Sequence, residues 1–155
     1  MKRILTIALL MLSCCVLFAQ KHITMDLNGL VIGQTYTKNQ VVAKLGEPSS
    51  YSCTDSEFGT DQIFFYGKNE TTEIDLQHGG EFYFFTVAEK NMPILTNLIA
   101  GGIRVGENIS AMKKVGLPYS LRVKGEYIMM FGDDVMRILV DEKDIITRFI
   151  YIVPD

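Results

Sequence analysis

Along residues 33–48 the apolar positions fall at helical spacing, and polar residues mark both ends. Thr37 and Gln40 stand at the separation of a capping box, Val41, Val42 and Leu45 form one stripe, and Gly46 followed by Pro48 predicts the stop. The period then shortens to two. Residues 62–66 end at Gly67, residues 72–77 alternate through Ile74 and Leu76, and Gly79-Gly80 leads into an apolar run over 82–88. Short alternating runs closed by Gly or Asn predict an antiparallel meander. The first half therefore reads as a short amphipathic helix followed by strands.

The order recurs downstream. Asn108 is a candidate cap, Ile109, Met112 and Val115 share a stripe, and Gly116-Leu117-Pro118 repeats the stop of Gly46-Glu47-Pro48. Strand-like runs follow at 127–131, 135–140 and 145–153, the last two separated by the charged turn Asp141-Glu142-Lys143-Asp144. Leu45-Gly46 and Val115-Gly116 lie 70 residues apart, and Tyr66-Gly67 and Phe131-Gly132 lie 65 apart, which argues for an internal duplication. Pro93 at a first turn, with Ile94, Leu95, Leu98 and Ile99 apolar and Gly101-Gly102 behind, predicts a helix over 93–99 that bridges the halves. Residues 25–30 are its counterpart in the first half. Two helices on one face of a small sheet in each unit make an α+β protein, a tandem duplication with residues 20–90 as the first repeat and 91–155 as the second.

Composition changes this picture chiefly at the N-terminus. Met1-Lys2-Arg3, the apolar stretch from Ile4 to Leu12 and the small residue Ala19 have the order of a secretory signal peptide over residues 1–19. The apolar run is short for a membrane span of roughly 20 residues. Losing Lys2 and Arg3 with such a leader takes the formal net charge from −3 to −5. That sign excludes a nucleic-acid footprint, and no basic cluster is longer than Lys113-Lys114. Cleavage would leave Cys53 as the one thiol, so no intramolecular disulfide is expected. Cys14 and Cys15 sit where a lipoprotein signal places its lipidated cysteine, although Val16-Leu17-Phe18 continues apolar where a polar tether is usual. Ordinary cleavage and a periplasmic or secreted location are favoured over an outer-membrane lipoprotein.

Gly33-x-Thr35, Val41, Leu45-Gly46-x-Pro48 and Phe65-Tyr66-Gly67 resemble the signature of small outer-membrane assembly lipoproteins of the SmpA/OmlA type. Two such units in tandem resemble the fold of the β-lactamase inhibitor proteins (BLIP-like), in which two helix-plus-sheet repeats form one sheet surface. The resemblance implies an envelope or secreted protein that binds other proteins through its sheet. Three departures stand against it: Gln34 replaces a usual Met, Ile103 stands where the first half has Gly33, and the chain has no Trp. Tandem inhibitors of that fold usually carry disulfides, which Cys53 alone cannot supply. No functional residue is carried over from either family.

Candidate chemistry is sparse. Cys53 has Asp55 and Glu57 nearby, an acidic setting that raises a thiol pKa and opposes nucleophilic use. His22 and His78 lack the neighbours of a dyad or a zinc site. The acidic stretches at 132–134 and 141–144 read as hairpin turns, since Lys143 opposes a calcium loop. More informative are the aromatic residues on strands with one wet face. If Glu73 and Asp75 mark the outer face, Glu81 and Glu89 place Tyr83 and Phe85 on it, with Phe64 and Tyr66 on the adjacent strand. Arg137 and Arg148 rim that face if the second half pairs edge to edge with the first. If the second half instead folds over it, these aromatics are core.

The expectation is a non-catalytic protein-binding module of the cell envelope, an inhibitor or an assembly accessory, acting through Phe64, Tyr66, Tyr83, Phe85, Arg137 and Arg148. No catalytic, metal or cofactor site is expected. The expected partner is an envelope or secreted protein, with membrane contact only through lipid on Cys14 or Cys15. The alternative is a periplasmic carrier of a small molecule or lipid, which would require an enclosed cavity.

Overall fold

The computed structural model describes residues 24–152. The expected leader, Cys14, Cys15, His22 and the final residue of the 145–153 run lie outside the described residues.

The chain opens with a tiny hairpin, β1 (Asp26–Leu27) and β2 (Leu30–Val31). Asn28 (φ 48°) and Gly29 (φ 80°) form its turn, both in the left-handed region that Asn-Gly tolerates well. Helix α1 (Lys38–Leu45) follows. Thr37 accepts from the amide of Gln40, and the Gln40 side chain accepts from the amide of Thr37, so the capping box closes both ways. Val41 and Leu45 are buried, and Lys38 Nζ lies 3.8 Å over the Tyr51 ring. Four strands then form a meander: β3 (Ser50–Ser56), β4 (Gly59–Tyr66), β5 (Thr72–Gln77) and β6 (Glu81–Val87).

The second half repeats this order. A 3-10 helix (Ile109–Val115) is capped by Asn108, whose side chain accepts from the amide of Ser110. It precedes β7 (Tyr119–Val123), β8 (Glu126–Phe131), β9 (Asp134–Val140) and β10 (Ile146–Ile152). The two meanders join through their last strands, giving one antiparallel sheet in the order β3-β4-β5-β6-β10-β9-β8-β7. The seam is supported in matching ways on its two sides. Gly33 and Gln34 exchange backbone hydrogen bonds with Phe82 at 2.8 and 2.9 Å, and Gly106 and Glu107 do the same with Ile146 at 2.8 Å each. Gly106 is therefore the structural counterpart of Gly33, a place the sequence comparison had given to Ile103.

The helical side of the expected fold is corrected. The fold is sheet-dominated, with 48% of the described residues in strands, 12% in helix and two short helices among them, not an α+β arrangement of helix pairs on a sheet. Residues 93–99 form turns: Leu95 is at φ 60°, Ile94 bridges to Leu27 and Ile103, and buried Asp26 gathers the segment. Asp26 accepts from the amides of Gly29 and Asn97 at 3.0 and 2.9 Å and from the Thr96 hydroxyl. Those bonds compete with a helix for the same amides. Residues 25–30 form the Asn-Gly hairpin instead of a helix. Downstream, apolar residues spaced strictly by three at Ile109, Met112 and Val115 suit a helix of three residues per turn better than an α-helix.

The core lies on one face of the sheet. One cross-strand row through all eight strands on that face reads Tyr51, Phe64, Ile74, Phe85, Tyr151, Met136, Met129, Tyr119. Phe85 and Tyr151 stack across the seam with centroids 5.6 Å apart. Val41, Leu45, Ile94, Leu95, Ile103, Ile109 and Met112 belong to the same buried cluster.

Candidate functional site

The opposite face of the sheet carries a second ordered row: Ser50, Phe65, Glu73, Thr86, Ile150, Arg137, Ile128, Ser120. Beside it lie Ile63, Asp75 and Phe84 in the first half, and Val135, Met130 and Ile152 in the second. Strand geometry separates these residues from the core, because successive side chains point to opposite faces. The packing agrees. Eleven part-buried apolar residues lean on the core cluster, and Ile63, Phe65, Phe84, Ile128, Val135, Leu139, Ile150 and Ile152 are not among them. Among the described residues the helices, the small hairpin and the 92–105 segment contribute their buried side chains to the core, leaving this second face without a covering layer.

Charge divides the open face in two. In the first half, Asp61, Glu73 and Asp75 surround Tyr83, whose hydroxyl pKa is raised by burial and by these three carboxylates. Asp75 is buried, and its Oδ1 has no hydrogen-bond partner among the described residues. Burial, with the Glu73 charge adding to it, pushes the Asp75 carboxyl up to about 7. In the second half, buried Glu126 accepts from Arg137 Nε and Nη2 at 2.9 and 3.0 Å and from Arg122 Nη1 at 3.0 Å. Hydrogen bonds from Arg137, then Arg122, outweigh burial and hold its carboxyl below the usual range. Two guanidiniums on one carboxylate leave a surplus of positive charge, and Arg148 adds to it at the cross-strand position of Leu139.

Of the six residues expected on this face, Tyr83, Arg137 and Arg148 lie on it and Phe64, Tyr66 and Phe85 do not. Those three are 0, 4 and 0% exposed, in the core. The outer positions of β5 were read correctly as Glu73 and Asp75, but their partners on β4 are Phe65 and Ile63, so Phe64 and Tyr66 face inward. On β6 the alternation breaks at a bulge. Asp75 pairs with Phe84 and Leu76 with Phe82, which leaves Tyr83 as the extra residue and sends Phe85 to the core face. Phe65, Phe84, Ile128 and Ile150 were missed. Pairing Glu73 with its neighbours would have found Phe65, whereas Phe84 depends on the bulge.

Cys53 is exposed on the edge strand β3, and His78 sits at φ 51° in the β5–β6 turn, beside Phe58 at 6.0 Å between ring centroids. Among the described residues no group of three His, Cys, Asp or Glu could hold a metal ion. Asp141 accepts from the amides of Lys143 and Ile145, which organises the turn before β10. An open-sided cleft of about 540 Å³ lies between that turn and β7–β8, lined in part by Leu121, Tyr127, Val140 and Asp144. Among the described residues no helix is long and apolar enough to cross a membrane. No protein-family model matches the chain, and neither a curated protein nor a solved structure matches it.

Proposed function

We propose that this protein is a non-catalytic protein-binding module of the cell envelope, exported by the leader over residues 1–19, that engages its partner through the open face of the eight-stranded sheet. The observation that carries the reading is that face itself: apolar side chains from both meanders, interleaved with an acidic cluster in one half and an arginine cluster in the other. An uncovered sheet face that mixes apolar side chains with charges of both signs is suited to contact with another protein. The sequence resemblance to small envelope assembly lipoproteins points to the same class without naming a partner. The carrier reading rests on the cleft beside β7–β8, whose open side suits a ligand less well than an enclosed cavity would.

The test is crosslinked affinity capture from a native envelope extract with two baits, the unsubstituted protein and a Phe65→Ser/Phe84→Ser variant. Both positions lie on the open face and outside the core cluster, and circular dichroism of the variant checks that the fold is retained. A protein held by the first bait and lost from the second is the expected outcome. Equal capture by both would refute the open face as the contact surface.

A further inference from the structure

The central row of the open face has an internal symmetry. Counting outward from the β6–β10 seam, Thr86 is matched by Ile150, Glu73 by Arg137, Phe65 by Ile128 and Ser50 by Ser120. Phe65 and Ile128 are both apolar, Ser50 and Ser120 are identical, Thr86 and Ile150 share only a β-branched shape, and the charged position is opposite in sign. A face with that pattern is complementary to itself. If a second copy is laid on the first by a twofold axis that runs along the strands at the seam, each residue meets its counterpart from the other half. Glu73 of each copy then meets the partner's Arg137, Phe65 meets the partner's Ile128, and Thr86 meets the partner's Ile150. The alternative axis, across the strands, would bring Glu73 onto the partner's Glu73 and Arg137 onto the partner's Arg137. Charge therefore selects one of the two arrangements.

We infer that the partner of the open face is a second copy of this chain, docked sheet to sheet with the acidic half of each copy over the arginine half of the other. The inference rests on the open-face reading and names its occupant. Three observations carry it. The Glu73/Arg137 exchange occurs twice in such a dimer, with Asp61 adding to the acidic half and Arg122 lying beside Arg137 on the same carboxylate. The Arg137 fork already in use leaves Nη1 free of the bonds to Glu126. The area also fits. Eight strands about 4.8 Å apart, each contributing about five residues at about 3.3 Å, give a face of roughly 600 Å² per copy, which meets the lower end of a stable interface at about 1,200 Å² in total. Sheets stacked this way keep their strands nearly aligned, as in other sheet-on-sheet packings.

Sedimentation equilibrium of the purified protein across a wide concentration range tests this, with Glu73→Arg, Arg137→Glu and an equimolar mixture of the two. The expected result is a dimer for the unsubstituted protein, association weakened about tenfold or more in each variant, and recovery in the mixture, where each contact again joins opposite charges. Because Arg137→Glu also disturbs Glu126, Thr86→Lys provides an independent variant: it sets a lysine at the seam against the partner's Ile150 and is expected to give a monomer with an unchanged melting temperature once dimer is diluted away. A monomeric unsubstituted protein at every concentration overturns the inference, as does a dimer that all three variants leave intact. The open-face reading fails separately, through equal capture by the two baits described above.

Discussion

At the scale of single residues, Asp75 is the position where sequence and environment disagree most. A strand in mid-sheet places its carboxyl between Ile63 and Phe84, beside Glu73, with Oδ1 lacking a hydrogen-bond partner among the described residues. Its pKa is raised to about 7, above about 3.9 in an unfolded chain. The folded form therefore holds a proton that the unfolded form has lost, and stability falls as pH rises from about 4 through 7. In protein dilute enough to be monomeric, Asp75→Asn is expected to flatten that slope and to raise Tm at pH 8 by about 3 °C, as followed by circular dichroism. An Asn variant with the parent's pH profile would place the proton elsewhere. Phe85 is the opposite case, a residue whose surroundings leave it no alternative. It is fully buried between Phe82 and Tyr151, at 5.8 and 5.6 Å between centroids, and Phe85→Ala is expected to cost about 3–5 kcal/mol in urea unfolding.

At the scale of elements, Asp26 decides what the 93–99 segment becomes. Its carboxylate takes two amides and a hydroxyl from both sides of the β1–β2 hairpin and the turn, and its own carbonyl accepts from Leu95 at 2.9 Å. Asp26→Ala leaves buried donors unpaired and is expected to lower stability by about 3 kcal/mol, with amide exchange of Gly29 and Asn97 accelerating before that of the sheet. The same residues show what was legible from sequence. Thr37 with Gln40, and Asn108 with Gly116, announced both helices because caps are local chemistry. The inner strands were visible through their apolar alternation. Outer strands β3 and β7 were not: Ser50–Ser56 is almost wholly polar, and the five residues Tyr119–Val123, although they alternate through Tyr119, Leu121 and Val123, follow directly on the Gly116-Leu117-Pro118 stop. The 93–99 helix failed because a carboxylate 70 residues away supplies the competing bonds. At the open face, the acidic positions of β5 could be read, but the parity of its neighbours could not. Register across β4 and the bulge at Tyr83 are long-range properties, and a shift of one residue exchanges the two faces.

At the scale of the whole molecule, the seam makes two similar halves into one body. β6 and β10 are each the last strand of a meander, and their pairing at Phe85, Thr86 and Val87 places residues of both halves in one core. The edges of that body differ from its faces. β3 ends the sheet on one side with Ser52, Cys53, Thr54 and Asp55 exposed, a polar border that gives an incoming strand no apolar side chain to pack against. β7 ends it on the other side with Leu121 and Val123 exposed, and the bulge between them interrupts the even spacing of its backbone groups. Edge-to-edge growth would have to splice a hydrophilic border onto a kinked, greasy one, and neither has the chemistry the other lacks. Lateral polymerisation is thus opposed at one edge by polarity and at the other by a bulge, which leaves growth through the faces and not through the edges.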